Sequence, residues 1–508
     1  MTDPYEVTRE IDLRPVRAEL GRHAARSGIV QLVSQAVRVL LLIGSGVILA
    51  RLLTPADFGL MAMVATLVGF VESFRDFGLP LAVTHQNDFD RQQFTALFRT
   101  SLQLNLGTTL FMMIAGPFLA EFYDEPRVIA VTMVTAAGYL VLGFGTLHQA
   151  VLIREMRFRR LAAVELGSQV AGTMTGVLAA LLGAGYWALV GQLVVGNVVK
   201  GLTLWMVSGW RSSLLGPGLS RSDPRVRTIL QRGAHIAGFE IVNYFGRNSD
   251  NVVVGFVGGP TALGLYDSAW RWSLYPIQQV YAPLVGVAVS SLSRVRDDPD
   301  AYRRACRVGL LPIFSMVTPA LVFLLLQADL VIVGVFGEQW RAAVPIFRVL
   351  VVAALASSVM RILGWLYLSE GRSREQLRWG VVYTAVMVMA VIAGAHWGVY
   401  GVAVAVAAGN CLLLVPGLSM CLHRSPFRIG DLLSVLARPV AASLTAATVL
   451  VVMLSRPTQQ PVRIWELGVQ AAAFAAIYAL TWVALPGGRR EAERIIGTVR
   501  AAARPGVS

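Results

Sequence analysis

Long apolar segments alternate with short polar ones along the whole chain. Most of them contain the ~20 apolar residues that a helix needs to cross a bilayer. The pattern therefore predicts an all-α polytopic membrane protein with about fourteen transmembrane helices. The predicted spans are 28–50, 58–83, 99–121, 127–150, 161–183, 186–208, 233–257, 261–291, 305–327, 343–368, 379–395, 397–421, 435–455 and 462–485.

Arginine is concentrated in alternate connections between these spans. It is abundant in both terminal tails and in the loops after spans four, six and eight, whereas the intervening loops are short and nearly free of it. The longest acidic stretch among those loops is EFYDE (121–125). Because positively charged loops remain in the cytoplasm, the pattern predicts a multi-pass membrane protein with both termini cytoplasmic.

Composition agrees with a membrane class and excludes others. A mean hydropathy of +0.61 and a hydrophobic content of 55% exceed those of a soluble domain. The net charge of +14 does not indicate a nucleic-acid partner, because the arginines are spread over many loops and not gathered on one face. Their expected contacts are membrane lipids. Cys306, Cys411 and Cys421 show no metal-ligand spacing, and we expect neither a metal site nor a cofactor.

Three pairs of segments indicate an internal repeat. LTPADFGLM (53–61) matches GGPTALGLY (258–266), so that Pro55 corresponds to Pro260 and Gly59 to Gly264. REMRFRR (154–160) matches SEGRSRE (369–375), and GYWALVGQLVVGN (185–197) matches GVYGVAVAVAAGN (398–410). Six spans separate equivalent elements, and six is even, so the two copies enter the membrane in the same direction.

This repeat predicts two six-helix lobes with a substrate site between them, an arrangement common in transporters. The last two spans have no partner in the repeat. The predicted divisions are a cytoplasmic tail (1–27), the N-lobe (28–208), a cytoplasmic linker (209–232), the C-lobe (233–421), helices thirteen and fourteen (435–485) and a cytoplasmic C-terminal tail (486–508).

Charged and amide side chains interrupt spans one, two, seven and eight. An ionised group in mid-bilayer costs roughly 2.5–3.5 kcal/mol, so these side chains should face protein or a water-filled cavity. One cavity between the lobes would collect them, with the arginines as a positive site for phosphate. The predicted substrate-binding residues are Arg38, Arg75, Arg247, Arg271, Asn243, Asn251 and Gln278. The candidates for ion coupling are Glu72, Asp76, Glu240, Asp250 and Asp267. Arg348 and Arg361 in span ten are second-rank candidates.

A structural role for the same charges stays open. Arg247 with Asp250, or Asp267 with Arg271, could form salt bridges along one helix. Arg38 has no acidic neighbour one turn away on its own span and therefore needs a partner from elsewhere, such as a substrate phosphate.

Three segments resemble a known family: LARLLTPADFGLMAM (49–63), RDFGLPLAVTHQ (75–86) and GYWALVGQLVVGN (185–197). They are similar to the polysaccharide transporters of the multidrug/oligosaccharidyl-lipid/polysaccharide exporter superfamily, and within it to oligosaccharide flippases that resemble the colanic acid exporter. The resemblance implies a V-shaped pair of lobes around a cationic cavity. It also implies translocation of an undecaprenyl-diphosphate-linked oligosaccharide for surface polysaccharide export, with the polysaccharide polymerase and export machinery as candidate partners.

Other functions compete with this hypothesis. An ion-coupled drug or cation antiporter of the same superfamily would require an anionic cavity, whereas this one should contain several arginines. A membrane glycan polymerase or glycosyltransferase would require outer-face carboxylates. The largest outer loop (328–342) has only Asp329 and Glu338. A non-transporting scaffold would leave the buried charges unexplained. We therefore expect a transporter and not an enzyme.

Overall fold

The structure is a computed structural model that describes residues 34–75, 91–209, 224–281, 284–454 and 464–489. Within these ranges the chain is almost entirely helical and contains no β-strand. The helices are α1 (Ser34–Leu52), α2 (Pro55–Arg75), α3 (Arg91–Tyr123), α4 (Arg127–Arg154), α5 (Phe158–Leu181), α6 (Trp187–Val207), α7 (Pro224–Tyr281), α8 (Val285–Arg294), α9 (Pro299–Leu326), α10 (Ala343–Ser369), α11 (Ser373–Ala395), α12 (Gly398–Leu422), α13 (Ile429–Leu454) and α14 (Ile464–Ala484). The predicted all-α membrane fold is confirmed.

Eleven of the described helices are long and apolar enough to cross a membrane. Three predicted spans fall on helices outside that group. One is α5, which has two consecutive arginines in its first turn and contains Glu165. The other two form α7, which is broken by a non-helical residue, Gly259, into a first arm (224–258) and a second arm (260–281). The count of fourteen membrane spans therefore remains a prediction.

The helices form two groups and a pair. Helices α1 to α6 are called the N-lobe here; α3 to α6 pack mainly on one another, whereas α2 packs mainly against α7 of the other group. Helices α7 to α12 form the second group, called the C-lobe, and α13 and α14 pack against α9. In that last contact Phe323 lies 5.4 Å from Phe474 between ring centroids, and the Tyr478 hydroxyl donates to the Ser315 carbonyl at 3.0 Å. Large apolar side chains on the outside of the bundle are exposed, as lipid contact requires; among them are Leu106, Leu110 and Phe118 on α3.

The segment that begins α2 has a clear structural purpose. Thr54 and Asp57 cap the helix reciprocally: the Thr54 N–H donates to the Asp57 carboxylate at 2.9 Å, and the Asp57 N–H donates to the Thr54 hydroxyl at 3.3 Å. Pro55 occupies the first turn, where its missing N–H costs nothing. The TPAD part of the motif therefore starts a helix.

Gly59 and Gly264 mark the point where the two lobes cross. A Cβ atom on Gly59 would lie 1.6 Å from the Pro260 carbonyl oxygen, and a Cβ atom on Gly264 would lie 1.8 Å from the Pro55 carbonyl oxygen. Each glycine thus allows the backbone of the opposite copy to approach. The contact is reciprocal between residues that the sequence repeat pairs, as a two-fold relation between the copies requires.

Backbone conformation repeats as well. Met156 and Gly371, which the sequence repeat aligns, both have positive φ, at 53° and 73°. Asp124 and Gly337 also share positive φ, about 213 residues apart, as do Gly185 and Gly398. Residues other than glycine rarely adopt positive φ, because their Cβ atom makes this conformation less favourable. Met156 adopts it nevertheless, and the turn is therefore the same in both copies.

The connection between α9 and α10 joins the two lobes at one end of the bundle. Here we call this side of the bundle, which carries Pro55, Gly259 and Trp340, the arginine-poor end. Gln339 Nε2 donates to the carbonyls of Ala50 and Leu53 at 2.6 and 2.9 Å, and Trp340 Nε1 donates to Ala50 at 2.8 Å. Carbonyls at the C-terminus of α1, which have no partner within a helix, are thereby satisfied by the C-lobe.

Candidate functional site

The N-lobe contains a polar cavity of about 750 Å³. It is lined by α1, α2, α4, α5 and α6, and the second arm of α7 contributes Arg271 and Gln279. Its cationic side chains are Arg38, Lys200 and Arg271, and its acids are Glu72 and Glu165. Its amides are Gln35, Gln169, Gln192, Asn197 and Gln279. The lining thus offers both positive charge and many neutral hydrogen-bonding groups, which an anionic, hydroxyl-rich ligand needs.

Arg38 has a protein partner that the sequence did not suggest. Its Nη1 donates to the Glu165 carboxylate of α5 at 2.6 Å, and its Nη2 donates to Gln35 on its own helix. Arg38 thus has a partner from outside its own span, as expected, but that partner is an acid of a neighbouring helix, and the binding of phosphate remains a prediction. Arg38 is still 34% exposed, so the pair lies in the wet cavity wall and its guanidinium is accessible to a ligand.

Arg271 also belongs to an ion pair. It donates to Asp267 at 2.5 Å, one turn earlier in the second arm of α7, as the structural alternative foresaw. Asn251 in the first arm donates to the same carboxylate at 3.3 Å and so ties the two arms together. Arg271 itself remains 62% exposed and lines the N-lobe cavity. It therefore brings C-lobe charge into the N-lobe site.

A second cavity of about 450 Å³ lies within the C-lobe. It is lined by both arms of α7 and by α10, α11 and α12. Four aromatic side chains contribute to its wall beside aliphatic ones: Trp270, Tyr367, Trp379 and Tyr383. Its charged side chains are Asp250 and Arg361, and its amides are Gln376 and Asn410.

Asp250 is held inside the protein and is only 7% exposed. Its carboxylate accepts a hydrogen bond from the Tyr266 hydroxyl at 2.8 Å and another from the Asn251 backbone N–H at 2.9 Å. Both donors come from α7, so the two arms hold the carboxylate between them. The buried acid is thus compensated by neutral donors, as a buried polar group must be.

The second arm of α7 separates the two cavities. Trp270 and Leu274 line the C-lobe cavity, whereas Arg271 and Gln279 line the N-lobe cavity. Consecutive residues of a helix point about 100° apart, so one helix can serve both sides. The prediction of one cavity that collects all the charges is therefore wrong: Arg38, Glu72 and Arg271 line the first cavity, and Asp250 lines the second.

The remaining predicted residues lie elsewhere or outside the described part of the chain. Gln278 is exposed, and Asn251, Asp267 and Gln278 line neither of these two cavities. The side chains of Arg75, Glu240, Asn243 and Arg247 lie outside the described residues although their helices are described, and Asp76 lies outside entirely. Arg361 lines the C-lobe cavity, whereas Arg348 pairs with Asp329 at the arginine-poor end.

Several lining residues escaped the sequence reasoning. Glu165 and Lys200 are charged residues inside the predicted spans 161–183 and 186–208, so the signal that singled out Arg38 also marked them. Trp270 and Trp379 gave no such signal, because aromatic residues are common in membrane proteins. Gln376 lies just before the predicted span 379–395.

Both acids of the connection between α9 and α10 form ion pairs. Glu338 pairs with Arg341, and this hydrogen bond lowers the pKa of the Glu338 carboxyl. Asp329 pairs with Arg348. Because Gln339 and Trp340 bind α1, the connection acts as a link between the lobes.

Comparison with known proteins supplies the context for this geometry. Residues 48–345 match the family described as polysaccharide biosynthesis protein. The chain is 22% identical over 368 residues to the lipopolysaccharide biosynthesis protein WzxC of Escherichia coli (strain K12), covering 71% of this chain and 73% of that protein. It is 27% identical over 303 residues to the succinoglycan biosynthesis transport protein ExoT of Rhizobium meliloti (strain 1021), covering 60% of each.

Two solved structures share the fold. The inward closed conformation of the lipid II flippase MurJ superposes with a TM-score of 0.68 at 12% identity, covering 90% of this chain and 98% of that one. An inward-facing multidrug resistance MATE family transporter superposes with a TM-score of 0.62 at 16% identity, covering 76% and 94%. At these identities the likeness concerns the fold alone.

Proposed function

Because this chain belongs to the polysaccharide biosynthesis protein family, we propose that it is a flippase for an undecaprenyl-diphosphate-linked oligosaccharide. It would move this lipid from the inner to the outer leaflet of the bacterial inner membrane for surface polysaccharide export. The relatives are polysaccharide biosynthesis and transport proteins, and the chain is a multi-pass membrane protein with the fold of a lipid flippase. These facts support a transport function. The identity of the substrate is our proposal.

The observation that carries the proposal is the cationic lining of the N-lobe cavity. Arg38 and Lys200 from the N-lobe and Arg271 from the C-lobe line the same space. A diphosphate can be bound bidentately by guanidinium groups. The amides of the same wall suit the hydroxyl groups of the sugar next to it.

Binding of phosphate must compete with the existing ion pairs. Arg38 pairs with Glu165, and Arg271 pairs with Asp267. Both arginines are at least one-third exposed, and pairs of that kind contribute only ~0–1 kcal/mol. A diphosphate can therefore displace the carboxylates at modest cost. Since Arg271 belongs to the C-lobe, the bound diphosphate would link the two lobes.

Access to the cavity should alternate by rocking of the lobes. In this structure the lobes are joined at the arginine-poor end by the Gly59–Gly264 crossing and by Gln339 and Trp340. The cavity wall extends the other way, to Lys200 and Gln279. We propose that the arginine-rich end faces the cytoplasm, so that a cysteine placed at 124 reacts with an impermeant reagent from outside and one placed at 156 does not. The reverse labelling would contradict this orientation.

The proposal is tested by leaflet translocation of a fluorescent undecaprenyl-diphosphate oligosaccharide in proteoliposomes. The Arg38→Gln and Arg271→Gln variants should each lower the rate by about tenfold or more, the equivalent of ~1.4 kcal/mol or more of lost anion stabilisation. Arg341→Gln is the matched control, because it removes an exposed ion pair outside the cavity. Wild-type rates in the double cavity variant would refute the proposed site, and no translocation by the wild type would refute the function.

Ion coupling is a further part of this proposal. Displacement of Asp267 from Arg271 by phosphate would leave a carboxylate able to take up a proton, and departure of the phosphate would restore the pair. Translocation should then respond to an imposed pH gradient in the wild type but not in Asp267→Asn, with Asp250→Asn as the comparison. A wild-type rate that is independent of the gradient would exclude coupling to protons.

A further inference from the structure

The C-lobe cavity differs chemically from the diphosphate site on the other side of the second arm of α7. Within the described residues its lining contains one cation, Arg361, and one acid, Asp250, so it offers little net charge. The carboxylate of Asp250 is moreover already engaged by Tyr266 and Asn251. Such a cavity suits a neutral ligand better than a phosphate.

Its aromatic and amide groups match the two faces of a sugar. A pyranose ring presents C–H groups on one side, which pack well on the face of an indole or a phenol ring. Its hydroxyls around the edge require hydrogen-bonding partners. Trp270 provides a ring on α7, and Trp379 and Tyr383 provide rings one turn apart on α11. Gln376 provides an amide at the arginine-rich end of the cavity.

Some of these polar groups have no protein partner in the described ranges. Neither the Gln376 amide nor the indole N–H of Trp270 or Trp379 makes a hydrogen bond there. By contrast, Tyr383 donates to Asn410 at 3.0 Å, and Asn410 donates to the Val406 carbonyl at 2.9 Å, so that pair is already satisfied. Polar groups without partners inside a membrane protein are costly unless water or a ligand binds them.

Two glycines keep the cavity open. A Cβ atom on Gly380 would have no neighbour within 4 Å, and one on Gly364 would meet only the Gln376 amide at 4.0 Å. The volume of about 450 Å³ lies within the range of ~300–1,000 Å³ that small-molecule sites occupy. The cavity therefore has room for a ligand, and a larger side chain at position 380 would fill it.

From these observations we infer that the C-lobe cavity is a saccharide subsite. It receives neutral sugar residues of the oligosaccharide beyond those beside the diphosphate. The inference rests on the proposed function, in which the diphosphate binds Arg38 and Arg271 in the N-lobe cavity. Because Trp270 and Arg271 are adjacent in sequence, the two subsites lie on opposite sides of one helix, and a glycan that occupies both has to span only the width of that helix.

The test compares two substrates in the same proteoliposomes. One probe is undecaprenyl diphosphate carrying a single N-acetylglucosamine, and the other is the lipid-linked repeat unit extracted from the organism that makes this protein. The variants are Gly380→Leu, which fills the cavity, and Gln376→Met, which removes the amide at nearly constant size. Gly107→Leu is the matched control, because a Cβ atom there also has open space and the residue lies on an exposed face of α3.

In both cavity variants, the rate for the repeat unit divided by the rate for the monosaccharide carrier should fall about tenfold. The ratio should be unchanged in Gly107→Leu. An unchanged ratio in Gln376→Met, with the protein folded by size-exclusion chromatography and thermal unfolding, would overturn the inference, as would equal loss for both probes. Failure of the proposed function gives a different result, because the wild type would then translocate neither probe.

Discussion

The N-lobe cavity and the C-lobe cavity occupy equivalent places in a repeated fold, yet their walls differ. Each is formed by the first, second, fourth, fifth and sixth helical segments of its copy. Asn197 and Asn410, which the repeat aligns, line one cavity each. Apart from this shared residue type, the N-lobe wall carries two cations of its own copy, Arg38 and Lys200, and Arg271 of the other copy, whereas the C-lobe wall carries one cation, Arg361, and more aromatic rings. The duplication has kept the framework and has changed the lining.

A pair of equivalent positions shows how the change arises. At the offset that aligns Arg159 with Arg374, Glu165 corresponds to Gly380. In the N-lobe the carboxylate fills the position and binds Arg38 at 2.6 Å, whereas in the C-lobe the position is open space. At this position the N-lobe wall carries a charged side chain, and the C-lobe wall carries none. Residues that set backbone geometry, such as Gly59 and Gly264, are subject to a different constraint and have not diverged.

The largest expected effect comes from the crossing that both lobes share. Gly59→Ala places a Cβ atom 1.6 Å from the Pro260 carbonyl oxygen, and a backbone atom cannot move aside as a side chain can. We expect a destabilisation at or above the upper end of the ~1–3 kcal/mol typical of overpacking, with loss of translocation. Thermal unfolding in detergent measures it.

Gly44→Ala is the matched control, because a Cβ atom at that position of α1 meets nothing within 4 Å. Its helix propensity gain is the same as that of Gly59→Ala, so the difference between the two variants isolates the crossing. Equal melting temperatures for both would show that the lobes are not in contact here.

A smaller loss of stability is expected when Asp250, the acid of the C-lobe cavity, loses one of its hydrogen-bond donors. Tyr266→Phe removes the hydroxyl that donates to Asp250 at 2.8 Å and leaves a buried carboxylate with one donor fewer. The expected loss is ~1–3 kcal/mol of stability. Tyr275→Phe, in the same helical arm, removes a buried hydroxyl that has no partner within the described residues and should cost nothing comparable. Similar melting temperatures for the two variants would mean that Asp250 does not depend on this bond.

The smallest effect is expected from the acid of the N-lobe cavity. Glu165→Gln removes the carboxylate partner of Arg38 in a partly exposed pair, so the stability change should stay within ~1 kcal/mol. Binding of undecaprenyl diphosphate should become tighter, because the guanidinium no longer shares its donors with an acid. Glu125→Gln is the control, since it breaks a similar pair with Arg127 on a connecting loop, at 2.8 Å. Weaker binding in Glu165→Gln would show that the acid helps to position Arg38 for the ligand.

The sequence alone determined the all-helical membrane class, the repeat and its junction. The length of an apolar segment and the arginine content of a loop are local properties of the chain. A bilayer offers the backbone no hydrogen-bond partners, so an apolar segment of sufficient length forms a helix within it. The pairs Pro55 with Pro260 and Gly59 with Gly264 were visible because close backbone contact restricts residue type. Charge within an apolar span likewise singled out Arg38 and Arg271, and both line a cavity.

Only the tertiary structure decided which side chains meet. Glu165 reaches Arg38 across more than one hundred residues of sequence, and no helical periodicity relates positions on different helices. Nor does composition reveal that the second arm of α7 stands between two cavities and sends Trp270 and Arg271 to opposite sides. Partners and cavity walls follow from the rotation of each helix about its own axis. That rotation is set by packing against neighbours, which a single segment of sequence does not contain.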